Sequence, residues 1–131
     1  MASQLDIDLA VARLEKHAYP FPQSHHKCAE YVRLALEAGG VRIAYPPTRS
    51  AKNYGPALEA QGFYDVNLDT LVLKKGDIAV IQNYSEGRID GHIAMYTGKI
   101  WISDFKQRDM WSGPGYREHK PAYAIYRFKM L

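Results

Sequence analysis

The run Gly91-His92-Ile93-Ala94-Met95-Tyr96-Thr97-Gly98 predicts a short β-strand that opens on a histidine and closes in a tight turn. A similar apolar run precedes it at residues 77–82, and two more follow at residues 99–105 and 122–128. Glycine, asparagine and proline separate the runs, and the Thr97-Gly98 break suits a hairpin between the second and third. The second half of the chain is therefore predicted to form an antiparallel sheet.

The first half of the chain has helical spacing instead. Residues 3–18 place apolar side chains on one helical face behind Ser3, a candidate N-cap, and residues 28–38 are nearly all good helix formers. Gly39-Gly40 ends the second helix, and a shorter helix is predicted over residues 53–61. Because helices come first and strands follow, we predict an α+β fold with N-terminal helices packed on a small antiparallel β-sheet.

The overall composition indicates one soluble domain spanning residues 1–131. Hydrophobic residues make up 47% and charged residues 24%, and no stretch approaches the roughly 18 apolar residues of a membrane span. The first 20 residues include Asp6, Asp8 and Glu15 and lack a basic, apolar leader, so we expect no signal peptide and synthesis in the cytoplasm. The net charge of +3 is too small, and Lys74-Lys75 too short, to predict nucleic-acid binding.

Cys28 is the only cysteine, which excludes an internal disulfide and a CxxC metal or redox motif. It opens the second predicted helix directly after Ser24-His25-His26-Lys27. Unpaired N–H groups and the positive end of the helix dipole favour the thiolate there, so Cys28 is a candidate nucleophile with a lowered pKa. A buried structural cysteine fits the position equally well. His25 and His26 resemble half of a metal site, but no further histidine or carboxylate pair has convincing ligand spacing, so we predict no metal site.

His92 is a candidate base for that nucleophile, because it opens a strand and its ring would lie at the edge of the sheet. Asp104 lies at the far end of the next predicted strand, nearly opposite His92 if the two strands pair about the turn. Cross-strand neighbours have Cβ atoms roughly 4.5–5.5 Å apart, within reach of a hydrogen bond that orients an imidazole. The alternatives are a capping histidine and a strand-end carboxylate satisfied by nearby amides.

Three of these segments resemble, in the same order, elements of the NlpC/P60 and CHAP cysteine peptidases. Lys27-Cys28-Ala29-Glu30-Tyr31-Val32 is similar to their nucleophile helix. Leu73-Lys74-Lys75-Gly76-Asp77-Ile78-Ala79-Val80-Ile81 is similar to the Gly-Asp element before an apolar strand, and the run that begins at Gly91 is similar to the histidine strand. The cysteine precedes the histidine, which argues against the circularly permuted relatives.

The resemblance implies a papain-like α+β core and hydrolysis of amide bonds in peptidoglycan stem peptides, without metal or cofactor. It makes Cys28 the nucleophile and His92 the base, and it puts the third, polar residue at or near Asp104. A catalytic domain without an export signal is similar to antibacterial amidase toxins that type VI secretion delivers to the periplasm of a target bacterium. Such a toxin implies a cognate immunity protein, whereas a phage-type lysin also fits the sequence.

Three aromatic residues are candidates for substrate binding. Tyr19 and Tyr54 fall in segments that flank the predicted nucleophile helix, and Trp111 falls in a Gly/Pro-rich loop after Asp104. For Trp111 the alternative is packing that pins the loop. Trp101 lies in an alternating apolar pattern within a predicted strand, so we predict that it is a core residue.

Two other functions remain open from the sequence. A Cys–His enzyme could act on a protein, as a deamidase, transglutaminase or protease toxin. The chain could also be a small binding module in which Cys28 is structural and its thiol inert.

Overall fold

The structure, a computed structural model, describes residues 4–21, 24–46, 48–66 and 72–130. Within these residues the chain forms helices α1 (Ile7–His17), α2 (Cys28–Ala38), α3 (Gly55–Ala60) and α4 (Pro114–His119), with a 3-10 turn at Ala51–Asn53. The strands are β1 (Phe63–Asp65), β2 (Ile78–Ile81), β3 (His92–Tyr96), β4 (Trp101–Ile102) and β5 (Tyr123–Phe128).

The strands form one sheet in the order β1-β5-β2-β3-β4, and all neighbours in it are antiparallel. Strand β2 is central, and all four of its side chains are buried because layers cover both faces of the sheet. This burial explains the continuous apolar run in its sequence. The predicted α+β fold, with helices on an antiparallel sheet, is confirmed.

Helices α1, α2 and α3 pack on one face of the sheet, where their apolar side chains share a core with alternate strand residues. The members of this core include Leu14, Leu36, Leu58, Ile78, Ile93 and Phe128. The other face is covered by residues 103–119, which we call the cover segment. It packs Met110, Trp111 and Tyr116 against the strand residues Ala79, Ile81, Ala94, Trp101 and Ile125. Trp101 is 6% exposed, as predicted for a core residue.

The helix predictions differ in accuracy. Helix α2 has the predicted bounds, because its good helix formers run without interruption to Gly39. Helix α1 begins at Ile7 and is capped by Asp6, whose carboxylate accepts from the Leu9 amide at 3.0 Å. The proposed cap Ser3 lies outside the described residues. The sequence predicts a loop where helix α4 lies, because Gly and Pro dominate the first turn of this helix.

The third predicted strand, over residues 99–105, is wrong in length. Strand β4 ends at Ile102, where the chain turns: the Ser103 amide donates to the Phe105 carbonyl, and the Gln107 amide donates back to the Trp101 carbonyl. This turn starts the cover segment and removes Asp104 from the sheet. No helix among the described residues is long and apolar enough to cross a membrane.

Candidate active site

A cleft of about 700 Å³ opens where the N-terminus of α2 meets the start of β3. Cys28 and His92 both line it, and the other walls come from the 3-10 turn and its flanks, from residues 84–91 and from the cover segment. The cleft residues used below are Cys28, Arg33, Tyr45, Arg49, Tyr54, Tyr84, His92 and Tyr116. The two residues predicted to form the catalytic pair are thus brought together from elements more than 60 positions apart in sequence.

Cys28 is the first residue of α2, and no side chain caps this helix end among the described residues. Burial raises the pKa of the Cys28 thiol to about 11, and the negative charge of Asp104 adds to the increase. The backbone N–H groups of Ile93, Ala29 and Cys28 itself act in the opposite direction. The predicted lowering of the thiol pKa is therefore wrong for the free protein, because loss of hydration outweighs the helix end.

His92 is 3% exposed, and its Nε2 lies 2.8 Å from Oε1 of Gln107. The amide of Gln107 is fixed, since its Nε2 donates to the carbonyls of Asp109 at 2.9 Å and Met110 at 3.1 Å. Its Oε1 must then accept, which places the proton of a neutral His92 on Nε2 and leaves Nδ1 as the basic nitrogen. Burial lowers the pKa of His92, while the bond to Gln107 and the charge of Asp104 raise it.

Asp104 does not fill the predicted place on the imidazole, because Gln107 holds it. The buried carboxylate of Asp104 accepts instead from the Ser24 hydroxyl at 2.9 Å and from the backbone amides of His25 at 2.6 Å and Lys27 at 3.0 Å. Asp104 thus holds the loop that leads into Cys28. The alternative of a carboxylate satisfied by nearby amides describes this contact better, and those amides belong to residues 24–27, which lead into the candidate nucleophile and which we call the nucleophile loop.

The strand register explains this correction. Strands β3 and β4 pair Met95 with Ile102 and Tyr96 with Trp101, a register one residue away from the one that would face His92 with Asp104. A shift of one residue moves a side chain to the opposite face of a sheet. The turn after Ile102 then carries the carboxylate towards the start of α2, where the three donors meet it.

Gly91 positions the histidine strand. Its φ of +68° lies in the left-handed region, and a Cβ there would overlap the carbonyl oxygen of Ile81 and meet Lys52 Cβ at 2.8 Å. Glycine therefore allows the 3-10 turn to approach the start of β3 closely, which sets one wall of the cleft beside His92.

The three predicted substrate-binding residues have different places in the structure. Tyr54 lines the cleft. Tyr19 and Trp111 are not among the cleft-lining residues: Tyr19 stacks on His25 with ring centroids 3.8 Å apart, and Trp111 packs edge-on against Tyr123 at 5.4 Å. Tyr19 therefore supports the nucleophile loop. Trp111 pins the cover segment to the sheet, as its alternative interpretation held.

Sequence reasoning missed the role of Gln107, because the cover segment shows no periodic pattern. Tyr116, which the sequence places in the same Gly/Pro-rich loop as Trp111 and which could line the cleft on that ground, does line it. The ring centroid of Tyr116 lies 6.1 Å from that of His92 and 5.0 Å from that of Tyr84. Gly115 permits this arrangement, since a Cβ there would overlap the Tyr84 hydroxyl. The weak signal available was the Gly-Pro-Gly stretch, whose glycines mark a close approach.

A second cavity, of about 810 Å³, lies on the other side of the 3-10 turn. Apolar residues dominate its wall, with Lys52, Asn53 and Gln82 at polar positions, and it shares Tyr45 and Thr48 with the cleft. Neither Cys28 nor His92 lines this cavity, so it lies apart from the predicted catalytic pair. The described residues contain no group of three or more His, Cys, Asp or Glu side chains placed to hold a metal ion.

Comparison with known proteins identifies the family. No protein-family model and no curated protein matches the sequence. The fold is similar to a chain of the native type VI effector–immunity complex Tae3–Tai3 from Ralstonia pickettii, with a TM-score of 0.82 and 42% identity over 94% of this chain and 98% of that one. The selenomethionine form of that complex matches with a TM-score of 0.80 and 44% identity over 90% and 98%. Because both identity and coverage are high, the chain belongs to the Tae3 family of type VI effectors.

Proposed function

We propose that this protein is an antibacterial type VI amidase that hydrolyses an amide bond in peptidoglycan stem peptides, with Cys28 as nucleophile and His92 as base. The observation that carries the proposal is that Cys28 and His92 line one cleft of a Tae3-family fold. The motif order shared with NlpC/P60 and CHAP peptidases supports the same cysteine chemistry.

The reaction begins with a neutral pair, since burial raises the pKa of Cys28 and lowers that of His92. Nδ1 of His92 takes the thiol proton as Sγ attacks the scissile carbonyl carbon. The C–N bond then breaks, and His92 gives the proton to the departing amine. Water, deprotonated by His92, attacks the thioester, releasing the carboxylic acid and returning the proton to Sγ.

Groups around Cys28 and His92 would stabilise the charges that form on the substrate oxygen and on the imidazole. The first amides of α2, beginning with Cys28, lack a side-chain cap in the described structure and can donate to the oxyanion. Gln107 fixes the imidazole orientation. Asp104 raises the pKa of His92, and its charge would stabilise the imidazolium that forms during attack.

The partner and place of action follow from the family. The Ralstonia relatives are effector–immunity complexes with Tai3, and we propose an immunity protein of that type for this chain. The substrate lies outside the cytoplasmic membrane, so we propose delivery to the periplasm of a target bacterium.

Digestion of purified sacculi followed by mass spectrometry tests the proposal. Wild-type protein should release fragments with one newly hydrolysed amide, and Cys28→Ala should lower the rate by several orders of magnitude, about 10⁴-fold or more by analogy with nucleophile knockouts. Arg42→Gln is a matched control, since Arg42 is exposed and lies outside the cleft.

Cell killing provides a second measurement. Export to the periplasm of a Gram-negative host should lyse it, and Cys28→Ala or His92→Ala should abolish the effect. Killing from the cytoplasm, with intact sacculi after digestion, would contradict the proposal and favour a protein substrate.

A further inference from the structure

Two arginines meet on one tyrosine at the rim of the cleft. The guanidinium carbon of Arg33 lies 4.6 Å from the ring centroid of Tyr45, and that of Arg49 lies 4.5 Å from it. All three residues line the cleft that contains Cys28 and His92. Cation–ring contacts hold guanidinium groups in place while leaving their N–H edges available for hydrogen bonds.

The guanidinium group of Arg33 has a hydrogen-bond donor without a partner among the described residues. Its side chain is only 17% exposed, and Nη1 pairs with Glu37 at 3.3 Å. Its Nε is buried and has no hydrogen-bond partner among the described residues. Buried donors are nearly always paired, and one left unpaired in a native structure calls for an explanation, such as a water or an ion that completes it.

Arg49 is held in place at a conformational cost. Its φ of +58° lies in the left-handed region, and its amide donates to the Pro46 carbonyl at 2.9 Å, which closes a turn. In the described part of the chain it forms no ion pair, unlike Arg33. The strained turn thus holds a cation without a carboxylate partner against the Tyr45 ring.

Tyr54 lines the same cleft as the two arginines and Cys28. Burial has the largest effect on the pKa of the Tyr54 hydroxyl and raises it. The neighbouring Tyr45 and Cys28 also raise this pKa, whereas the positive charges of Arg33 and Arg49 lower it. The positive charges of both arginines therefore act on this one hydroxyl, which belongs to the cleft that contains Cys28. Because both arginines line the cleft that contains Cys28, we expect a peptide bound at Cys28 to meet them.

We propose that Arg33 and Arg49, stacked on Tyr45, bind a free carboxylate of the substrate peptide and make the enzyme selective for unamidated stems. This inference rests on the proposed function and names a feature of its substrate. Planar guanidinium groups match a carboxylate. The charged residues that line the cleft have a net positive charge, which favours an anion; they are Lys27, Arg33, Arg49 and Arg88 against Glu30 and Asp90.

The test uses three matched stem-peptide fragments, with all carboxylates free, with the acidic side of the peptide amidated, or with the C-terminal carboxylate amidated. For wild-type protein, amidation at the recognised carboxylate should raise KM about 10- to 100-fold, as expected for loss of a charge-assisted hydrogen bond. The fragment that loses binding identifies which carboxylate the arginines contact.

Arg49→Gln should raise KM for the free-acid fragment by a similar factor and abolish the discrimination, with little change in kcat. Arg33→Gln provides a second variant on a different element. The control is Arg42→Gln: Arg42 pairs with the same Glu37 but lies outside the cleft, so this variant should behave as wild type. Equal KM values of wild-type protein for all three fragments would overturn the inference alone. If wild-type protein hydrolyses none of the fragments and no sacculi, the proposed function is wrong and the inference fails with it.

Discussion

Asp77 and Asp104 are both fully buried carboxylates, yet their partners differ. Asp77 precedes β2 and accepts two hydrogen bonds from Arg127 of β5, each 2.8 Å long, and one from the Lys74 amide. Its charge is therefore matched by a cation. Asp104, in the cover segment, accepts only from hydroxyl and backbone N–H donors within the described structure.

The difference separates a structural charge from one that acts on the catalytic pair. The ion pair of Asp77 ties β2 to β5 and cancels most of its own field. The donors around Asp104 stabilise its charge without neutralising it, so its field raises the pKa of both His92 and Cys28. The carboxylate paired with an arginine stabilises the sheet, and the one held by N–H and hydroxyl groups lies beside the proposed catalytic pair.

Breaking the ion pair should have the largest effect, and on stability. Arg127→Ala leaves the Asp77 charge buried without its cation and should lower the free energy of unfolding by about 3–5 kcal/mol, measured by urea denaturation. The molecules that remain folded should keep wild-type kcat. A loss under about 1 kcal/mol, equal to that of the exposed control Arg42→Ala, would mean that Asp77 does not depend on its partner.

Changing Asp104 should act mainly on catalysis. Asp104→Ala releases Ser24, His25 and Lys27, which lets the nucleophile loop move, and we expect kcat to fall about 100-fold. Asp104→Asn should retain more activity, because its oxygen still accepts from the loop amides.

The pH profile of Asp104→Asn distinguishes electrostatics from simple loop disorder. Asp104 raises the pKa of His92, so its neutralisation should lower that pKa and move the acidic limb of kcat/KM to lower pH. Asp77→Asn is the matched control and should leave the limb in place. An unchanged limb for Asp104→Asn would reduce Asp104 to a purely structural role.

Gln107→Ala should have a smaller effect. It removes the acceptor on His92 Nε2 and the anchor to the cover segment, and we expect roughly a tenfold loss in kcat. The bond to Gln107 raises the pKa of His92, so the acidic limb should again move to lower pH. Wild-type turnover in a folded Gln107→Ala protein would show that the imidazole is oriented by other contacts.

The smallest effect concerns the free thiol. Iodoacetamide alkylation of Cys28 should follow a midpoint near pH 11 in the free protein, well above the ordinary thiol value of about 8.5. Asp104→Asn should move the midpoint down, since the carboxylate raises the pKa of the thiol. A wild-type midpoint below the ordinary value would contradict the neutral resting pair and support the lowered thiol pKa expected from the helix start.

Helix α2 and strand β3 have the bounds predicted for them, because each is specified by its own residues: helix formers ended by Gly39, and β-prone residues between Gly91 and Gly98. These two elements present Cys28 and His92. The order of the cysteine helix, the Gly-Asp strand and the histidine strand along the chain can likewise be read from the sequence alone. Local propensity and glycine punctuation therefore determined the fold class and the candidate pair.

Tertiary structure alone decided which groups surround that pair. Gln107 reaches His92 because β4 ends after two residues, and Asp104 reaches the nucleophile loop because the β3–β4 register differs by one residue from the expected pairing. Burial also reversed the predicted pKa shift of Cys28, since desolvation depends on residues distant in sequence. Single contacts and local hydration depend on the packing of whole elements, and periodicity in a sequence does not record them.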